Sequence, residues 1–229
     1  MRIHQITDLH VPDDDGDERY THIRGNVLRQ FQFVESESPD LLVISGDLTM
    51  RDASEPGCRW LYENLPDVPV VVIPGNHDDP KLIDKIFGSW PQEQENDDCL
   101  LKFLDTSSDY LPKDQLKALN ERSPQKPCVL FMHHPPHLIG SGFMSKNQPL
   151  QNWAEVAEAI LNAGIEHVFC GHYHNSARVT CKGFELYLTP SPAFQIALES
   201  EQFVMEEFQA SVRIIDVKSD HLYSELVYV

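Results

Sequence analysis

The sequence is poor in basic residues. Of its 229 residues, 18 are lysine or arginine and 36 are aspartate or glutamate, so the formal net charge is −18 at pH 7. Proteins that bind nucleic acid use basic surfaces to neutralise phosphates, and anionic membranes attract basic segments. The charge therefore disfavours polymeric nucleic acid and a membrane surface as partners. It also poses the question of how so acidic a chain would bind a phosphate-containing substrate.

Long hydrophobic runs and paired cysteines are also missing. The longest apolar runs, at 41–44 and 68–73, are too short to cross a bilayer. The N-terminus is predicted to be a strand that begins at once, without the apolar stretch and cleavage site of a signal peptide. The five cysteines are scattered and form no CxxC pair. These features together predict reduced thiols and a cytoplasmic protein.

Short apolar runs alternate with helix-like stretches over the first two thirds of the chain, which predicts βαβ units. The predicted strands are 2–7, 40–45, 70–73, 100–104, 128–132 and 168–170, and the predicted helices are 21–36, 54–64, 80–87, 113–121 and 152–163. From residue 177 onward the pattern favours a β meander, with strands at 177–181, 184–189, 211–217 and 222–228. The whole pattern predicts a single α/β domain over residues 1–229, with one mostly parallel and one more antiparallel sheet covered by helices.

Five short motifs stand directly after predicted strands. They are Asp8-Leu9-His10, Gly46-Asp47, Gly75-Asn76-His77-Asp78, His133-His134-Pro135 and Gly171-His172-Tyr173-His174. In α/β sheets, the loops beyond the carboxyl ends of the strands converge on one rim where ligands bind. In D-x-H and H-x-H motifs, the outer side chains share one face of an extended segment. The five motifs are therefore predicted to point into a common pocket.

The residue types of these motifs predict a metal centre. Carboxylates, imidazoles and one amide, without cysteine, suit borderline to hard divalent ions such as Mn, Fe, Zn or Co. Seven ligands are too many for one tetrahedral zinc ion but suit two divalent ions that share a bridging carboxylate. Each motif taken singly also fits an ordinary polar turn. All five together, in this order and at strand ends, indicate a functional site.

The ordered motifs resemble those of the calcineurin-like metallophosphoesterase superfamily. The surrounding sequence is similar to its bacterial branch of 3′,5′-cyclic nucleotide (cAMP) phosphodiesterases, through TDLH, VISGDLT, VIPGNHDD, Leu104-Asp105-Thr106, FMHHPP, CGHYHN and TPSPAFQ. The resemblance covers nearly the whole chain. It implies a four-layer α-β-β-α sandwich of two mixed sheets flanked by helices.

The resemblance also implies a role for each motif residue. The implied ligands are Asp8, His10, Asp47 and His174 for one ion, and Asp47, Asn76, His133 and His172 for the other. Asp47 would bridge the two ions. His77 would lie beside the scissile phosphate, where it could donate a proton to the leaving oxygen or stabilise charge on the phosphoryl group, and Asp78 would orient it. His134 is expected to point away along an extended segment and to stay outside the metal shell.

The implied function is a dinuclear metal-dependent phosphodiesterase acting on a small phosphodiester such as a 3′,5′-cyclic nucleotide, by in-line attack of a metal-bridging hydroxide. A phosphomonoesterase or protein phosphatase on the same site is the alternative. A non-catalytic scaffold would be expected to lack ligands or His77, and all are present. The acidic charge disfavours a nuclease. Two divalent ions would also make the pocket locally positive within an acidic protein, which answers the question of phosphate binding.

Two segments keep more than one interpretation. The acidic stretch at 12–18 is interpreted as a solvated loop, because it lacks the spacing of a calcium-binding loop. If it screens out long polyanions, neutralising Asp13, Asp14 and Asp15 should raise activity on oligonucleotides. The stretch at 196–210, within the segment 189–211, is rich in Glu, Phe and Met. A cap over the pocket, a homodimer contact and a loosely packed hairpin are all open for it.

Overall fold

A computed structural model describes residues 1–13, 20–50, 53–120, 126–206 and 209–229. The strands are β1 (Arg2–Ile6), β2 (Leu41–Ser45), β3 (Val70–Ile73), β4 (Glu93–Glu95), β5 (Leu100–Phe103), β6 (Cys128–Phe131), β7 (His167–Cys170), β8 (Ala177–Cys181), β9 (Phe184–Leu188), β10 (Gln195–Ile196), β11 (Met205–Glu206), β12 (Ser211–Lys218) and β13 (His221–Tyr228). The helices are α1 (Thr21–Glu37), α2 (Glu55–Asn64), α3 (Pro80–Phe87), α4 (Lys113–Leu119), α5 (Phe143–Asn147) and α6 (Trp153–Ala163). Most of the predicted acidic loop lies outside the described residues.

The strands form two large sheets and a short hairpin. The first sheet has the order β13-β12-β1-β2-β3, and the second has the order β4-β5-β6-β7-β9-β8. In the first sheet β1, β2 and β3 run parallel, while β12 and β13 are antiparallel to their neighbours. In the second sheet β5, β6, β7 and β9 run parallel, and the edge strands β4 and β8 are antiparallel. Strands β10 and β11 pair only with each other among the described residues.

The expected division into one mostly parallel and one more antiparallel sheet is less sharp than predicted, because both sheets are mixed. The first has two parallel and two antiparallel pairings, with the parallel strands at one end, and the second has a parallel centre and antiparallel edge strands. The last third is not a single meander either. The β8–β9 hairpin extends the second sheet, where His167 pairs with Glu185, while β12 and β13 extend the first, where Ile3 pairs with Ile215. A hairpin has the same local pattern whichever sheet it joins, so long-range pairing decides its place. The sequence patterns also missed α5, β4, β10 and β11.

Alternation along β2 shows how the layers are built. Leu42 and Ile44 pack with residues of α1, including Val27, on the outer face of the first sheet. Leu41 and Val43 point the other way and pack against Phe103, Phe131 and Phe169 of the second sheet. Because strand side chains alternate, one strand serves two cores. On the far side, α6 covers the outer face of the second sheet with Val156 and Ile160. This is the four-layer α-β-β-α sandwich of two mixed sheets that the resemblance implied.

None of the five cysteines, all of which lie among the described residues, forms a disulfide, and Cys58, Cys99, Cys128 and Cys170 are buried. In the described part of the chain, no helix combines the length and the apolar character needed to cross a membrane.

Candidate metal centre

Each motif loop begins where a parallel strand ends. Asp8, Asp47 and Asn76 follow β1, β2 and β3 of the first sheet, whereas His133 and His172 follow β6 and β7 of the second. The loops meet across the space between the sheets, so the residues come together although they are far apart in the chain.

Five of the seven predicted ligands have left-handed backbone conformations. They are Asp8 (φ 53°), His10 (φ 44°), Asp47 (φ 54°), His172 (φ 64°) and His174 (φ 55°). This conformation is uncommon for residues other than glycine and costs of order 1–3 kcal/mol where it is strained. The motif pairs therefore converge through sharp turns, and the expectation that they lie on extended segments was wrong.

The first cluster consists of Asp8, His10, Asp47 and His174. All four side chains are buried, and one ligand atom from each lies within 4.8 Å of the others. The Nε2 atoms of His10 and His174 are 3.0 Å apart, and His174 Nε2 is 3.3 Å from Asp8 Oδ1. His10 Nε2 is 3.6 Å from Asp47 Oδ2. Nitrogen and oxygen ligand atoms thus surround one small space.

The second cluster shares Asp47 with the first. Asp47, His133 and His172 bring their ligand atoms within 4.8 Å of one another, and all three are buried. His133 Nε2 is 3.3 Å from Asp47 Oδ2 and 3.2 Å from Asn76 Oδ1. The structure therefore brings together all seven residues predicted as ligands, and it places the Asp47 carboxylate between the two groups.

Backbone carbonyls orient three of the imidazoles. His133 Nδ1 is 2.9 Å from Ser45 O, His174 Nδ1 is 3.1 Å from Phe194 O, and His172 Nε2 is 2.8 Å from Gln148 O. A carbonyl only accepts, so each of these nitrogens donates its proton, and in the neutral ring the other nitrogen offers its lone pair. Metal-binding histidines are held in this way by partners on their far nitrogen. Together with the buried carboxylates, this donor set fits two divalent ions.

Burial and mutual charge set the protonation of the clusters. Burial opposes ionisation of Asp47, but His133 and His10 outweigh it and lower its pKa well below the usual value. Burial likewise opposes the charge on His133, yet Asp47 and Asp8 raise its pKa to about 10. Burial and the neighbouring His174 lower the pKa of His10 to about 3. The carboxylates thus stay anionic, as ligands for cations must be.

Two motif positions require glycine because the backbone there lies very close to a buried carboxylate. A Cβ atom on Gly75 would overlap Asp47 Oδ1 and lie 2.6 Å from the Asp47 nitrogen. A Cβ atom on Gly171 would overlap Asp8 Oδ2 and the Thr7 hydroxyl oxygen. The backbone therefore packs directly against both carboxylates, and only glycine fits at these positions.

His77 and Asp78 lie beside the clusters. The ring centroids of His77 and His10 are 5.3 Å apart, and the His77 backbone N–H donates to Asp47 Oδ1 at 2.9 Å. The Asp78 carboxylate accepts from the backbone nitrogens of Asp47 (2.7 Å), Gly75 (2.9 Å) and Leu48 (3.0 Å). These contacts join the loops after β2 and β3. That Asp78 also orients the His77 ring stays a prediction.

His134 packs against the second cluster, with its ring centroid 4.1 Å from that of His172 and 5.0 Å from that of His133, but its ring nitrogens bind other side chains. Its Nδ1 is 2.9 Å from the Thr106 hydroxyl oxygen, and its Nε2 is 3.0 Å from Asp109 Oδ1. Both ring nitrogens are thus engaged by other side chains. Thr106 belongs to the Leu-Asp-Thr segment noted in the sequence, and this contact gives it a place in the structure beside the centre.

The clusters open into a cavity of about 350 Å³ that sequence reasoning described only in part. Its lining includes His10, Asp47, Asn76, His77, His172 and His174, together with Met50, Phe143, Met144, Gln148, Phe194, Ile196 and Phe203. The second group was not predicted individually, since its members lie in loops and in very short elements, which carry no periodic signal. Two signals were available: TPSPAFQ contains Phe194, and the stretch at 196–210, for which a cap over the pocket was one interpretation, contains Ile196 and Phe203.

The fold and the shared-carboxylate clusters define an α/β protein with a candidate metal centre at the rim of two sheets. The sequence pattern of the calcineurin-like phosphoesterase family matches residues 1–176. The chain therefore belongs to the calcineurin-like phosphoesterase family, and the predicted family is confirmed.

Individual relatives agree with this assignment. The chain is 31% identical to a probable cyclic nucleotide phosphodiesterase of Fibrobacter succinogenes over 94% of this chain and 89% of that protein. It is 32% identical to a probable glycerophosphodiester phosphodiesterase of Arcobacter nitrofigilis over 74% of this chain and 69% of that protein. A crystal structure of a dimetal phosphatase from Danio rerio superimposes with a TM-score of 0.68 at 13% identity, covering 98% of both chains. This last likeness shows a shared fold.

Proposed function

We propose that this chain is a dinuclear-metal phosphodiesterase that hydrolyses a small phosphodiester, with 3′,5′-cyclic nucleotides as the leading substrates. The observation that carries the proposal is the position of Asp47, whose carboxylate belongs to both ligand clusters. A shared carboxylate is the feature that a pair of ions requires and that two unrelated polar clusters would not need. The names of the relatives support a diester as the substrate.

The chain's own residues would divide the work between them. The proposed ligands are Asp8, His10, Asp47 and His174 for one ion, and Asp47, Asn76, His133 and His172 for the other. When bound, the ions would supply charge neutralisation for the phosphoryl oxygens and an activated water. Any of Mn, Fe, Zn or Co suits these donors.

His77 is proposed as the general acid. Its side chain lines the cavity beside His10 and is only partly buried, so it can reach a phosphoryl group bound at the clusters. From there it would donate a proton to the departing alkoxide oxygen. Asp78 would keep the loop of His77 in place through the backbone nitrogens that its carboxylate binds.

The cavity volume, the net charge and the cysteines support a small substrate and a cytoplasmic location. A cavity of about 350 Å³ is at the lower end of the range for small-molecule sites. The net charge of −18 opposes polymeric nucleic acid and anionic membranes. Cysteines that form no disulfide in the described structure and are mostly buried agree with a reducing compartment.

A substrate panel on metal-reconstituted protein tests the proposal. After dialysis against chelator and addition of Mn²⁺, bis(4-nitrophenyl) phosphate, cAMP, a glycerophosphodiester and 4-nitrophenyl phosphate are compared by kcat/KM. We expect turnover of diesters that needs the added ion. Turnover of the monoester alone would make the protein a phosphomonoesterase, and turnover of none would contradict an enzymatic role.

A further inference from the structure

The cavity at the candidate metal centre has two chemically different walls. One consists of the metal clusters with Asn76 and His77, and the other is apolar. The apolar wall contains three phenylalanines, Phe143, Phe194 and Phe203, here called the aromatic wall. Their phenyl side chains can neither hold ions nor move a proton, so the position of these rings at the site needs a different explanation.

The aromatic wall is continuous with the metal ligands. The ring centroid of Phe194 is 4.4 Å from that of His174 and 5.6 Å from that of His10. Phe203 lies edge-on to Phe194 at 6.4 Å and to Phe143 at 5.8 Å. A group attached to a phosphorus atom at the clusters therefore meets Phe194 first and Phe203 next.

Backbone contacts hold the wall in position. The Gly142 N–H donates to Leu198 O at 3.1 Å, and the Phe143 N–H donates to Ser200 O at 2.6 Å. A Cβ atom on Gly142 would overlap the Leu198 carbonyl, so the start of α5 packs closely on the segment between β10 and β11. The two segments that carry Phe143 and Phe203 are thus joined to each other.

We propose that the aromatic wall binds a flat aromatic ester group of the substrate, such as a nucleobase, and that Phe203 determines this specificity. The inference rests on the proposed function, because the phosphate must lie at the metal clusters. Phe203 is 49% exposed, so a planar group can stack on its ring and remove it from water. Stacking of a base on an aromatic side chain contributes about 1–3 kcal/mol. An aliphatic diester such as a glycerophosphodiester would gain little from this wall.

Two non-chromogenic diesters of equal charge test the inference as competitive inhibitors. Diphenyl phosphate carries aromatic ester groups and diethyl phosphate does not, and both present the same phosphate. Inhibition constants are measured on the Mn²⁺-loaded full chain, with bis(4-nitrophenyl) phosphate as the substrate. Phe203→Ala is expected to raise the inhibition constant of diphenyl phosphate about tenfold and that of diethyl phosphate less than about twofold. Phe203→Tyr should keep most of the preference for diphenyl phosphate over diethyl phosphate.

The control variant is Tyr62→Ala, on α2. Tyr62 is 54% exposed and touches one aromatic neighbour, Phe87, at 5.9 Å, so it matches Phe203 in exposure but lies outside the cavity lining. It should change neither inhibition constant.

Three outcomes would overturn the inference. The wild type could bind both inhibitors equally, or Phe203→Ala could weaken both by the same factor. Light scattering could also show that Phe203→Ala converts a dimer to a monomer while both inhibitors change together, which would make the wall a contact between copies. In each case diester turnover by the wild type persists, whereas failure of the proposed function would appear as no diester turnover at all.

Discussion

Asp47 is the residue on which the proposed site depends most. Its carboxylate is buried between His10 and His133, and its backbone N–H is bound by Asp78. The residue sits at φ 54° directly after Gly46, whose φ is 100°. Position, charge and backbone conformation all serve to place one carboxylate between two clusters.

Replacing Asp47 with asparagine should empty at least one metal position. The substitution keeps the size of the side chain but removes the negative charge that would neutralise the two cations. It also replaces one of the two carboxylate oxygens that the ions would share. Metal content per chain after reconstitution, measured by inductively coupled plasma spectrometry, should fall by half or more. The exposed Asp67→Asn is the matched control and should keep wild-type content. Full occupancy in the Asp47 variant would refute a bridging role.

His77→Ala should separate chemistry from metal binding. A general acid contributes about 10²–10⁴-fold to rate, so kcat on cAMP should fall by roughly that factor. Metal content should stay near the wild-type value, because His77 is not in either ligand cluster. His137→Ala, which removes a histidine that packs edge-on to Trp153, should keep both properties. Loss of metal in the His77 variant would mean that this histidine is a ligand.

His4 makes a prediction about stability and pH. It is fully buried in β1, stacks on Phe33 at 5.8 Å, and neither ring nitrogen has a hydrogen-bond partner among the described residues. Burial and the nearby Arg2 lower the pKa of His4 to about 4 from 6.5. The unfolded chain therefore binds this proton more tightly, and the stability contributed by a neutral His4 is lost as pH falls from about 6.5 to about 4.

His4→Phe removes this dependence and keeps the stacked ring. The free energy of unfolding, measured by urea titration, falls over that pH range in the wild type. In the variant this fall should be smaller by up to about 3 kcal/mol. The variant should also be more stable at pH 7, because two unpaired buried nitrogens disappear. His221→Gln, at an exposed position, serves as the control and should show the wild-type dependence of unfolding free energy on pH. An unchanged slope in the His4 variant would contradict the prediction.

At the scale of elements, the site is made by strand ends. The five strands that precede the motifs, β1, β2, β3, β6 and β7, each stop within a few residues of their motif. After all of them except β6, the chain turns through a left-handed residue or a glycine. Gly171, after β7, lets its loop approach the Asp8 carboxylate at the end of β1, and the His172 N–H donates to Asp8 Oδ2 at 2.9 Å. A strand end of one sheet thus orients a ligand on the other.

Gly171→Ala should disturb this junction. Its Cβ atom would displace Asp8 and Thr7, so we expect loss of metal affinity by tenfold or more and a lower melting temperature, measured by metal titration and calorimetry. Gly25→Ala is the contrasting control: in the middle of α1, a Cβ atom meets nothing within 4 Å. That variant should be more stable by about 0.5–1 kcal/mol and bind metal normally.

The sequence predicted many of these elements well. The strands β3 and β8 and the helix α3 have the predicted bounds, and most others differ by one or two residues. Their apolar runs, although short, are regular enough to give a recognisable signal. The helix α5 and the hairpin of β10 and β11 were missed, because elements of two to five residues are stabilised by tertiary contacts rather than by a pattern of their own.

At the scale of the whole molecule, two sheets must stay in register for the site to exist. A chain of buried hydrogen bonds connects them: Arg213 donates to Thr189, Thr189 donates to Gln5, and Gln5 donates to Ser45, at 2.7–2.8 Å. Ser45 in turn accepts a hydrogen bond from His133 through its carbonyl oxygen. Burial lowers the pKa of Arg213 to about 10, which leaves it charged at neutral pH. The inter-sheet contact and the metal centre are thus one connected structure.

Bound ions should therefore stabilise the whole fold. The proposed ligands Asp8 and Asp47 follow strands of the first sheet, and His133 and His172 follow strands of the second, so ions at the clusters would join the sheets. Saturating Mn²⁺ added to chelator-treated protein should raise the melting temperature by on the order of 5–10 °C. Potassium chloride at the same ionic strength should not. A shift of similar size in Asp47→Asn would show that the ions act elsewhere.

The sequence by itself determined the chemistry of this protein: which side chains could bind a metal, that they follow strands, and which family they resemble. These properties depend on residue types and short spacings, which are local. Only the tertiary structure decided which edge each hairpin joins, that the motif loops turn through left-handed residues, and that Phe143, Phe194 and Phe203 face the site. Each of these depends on contacts between residues distant in the chain, whose free energy does not appear in any local pattern.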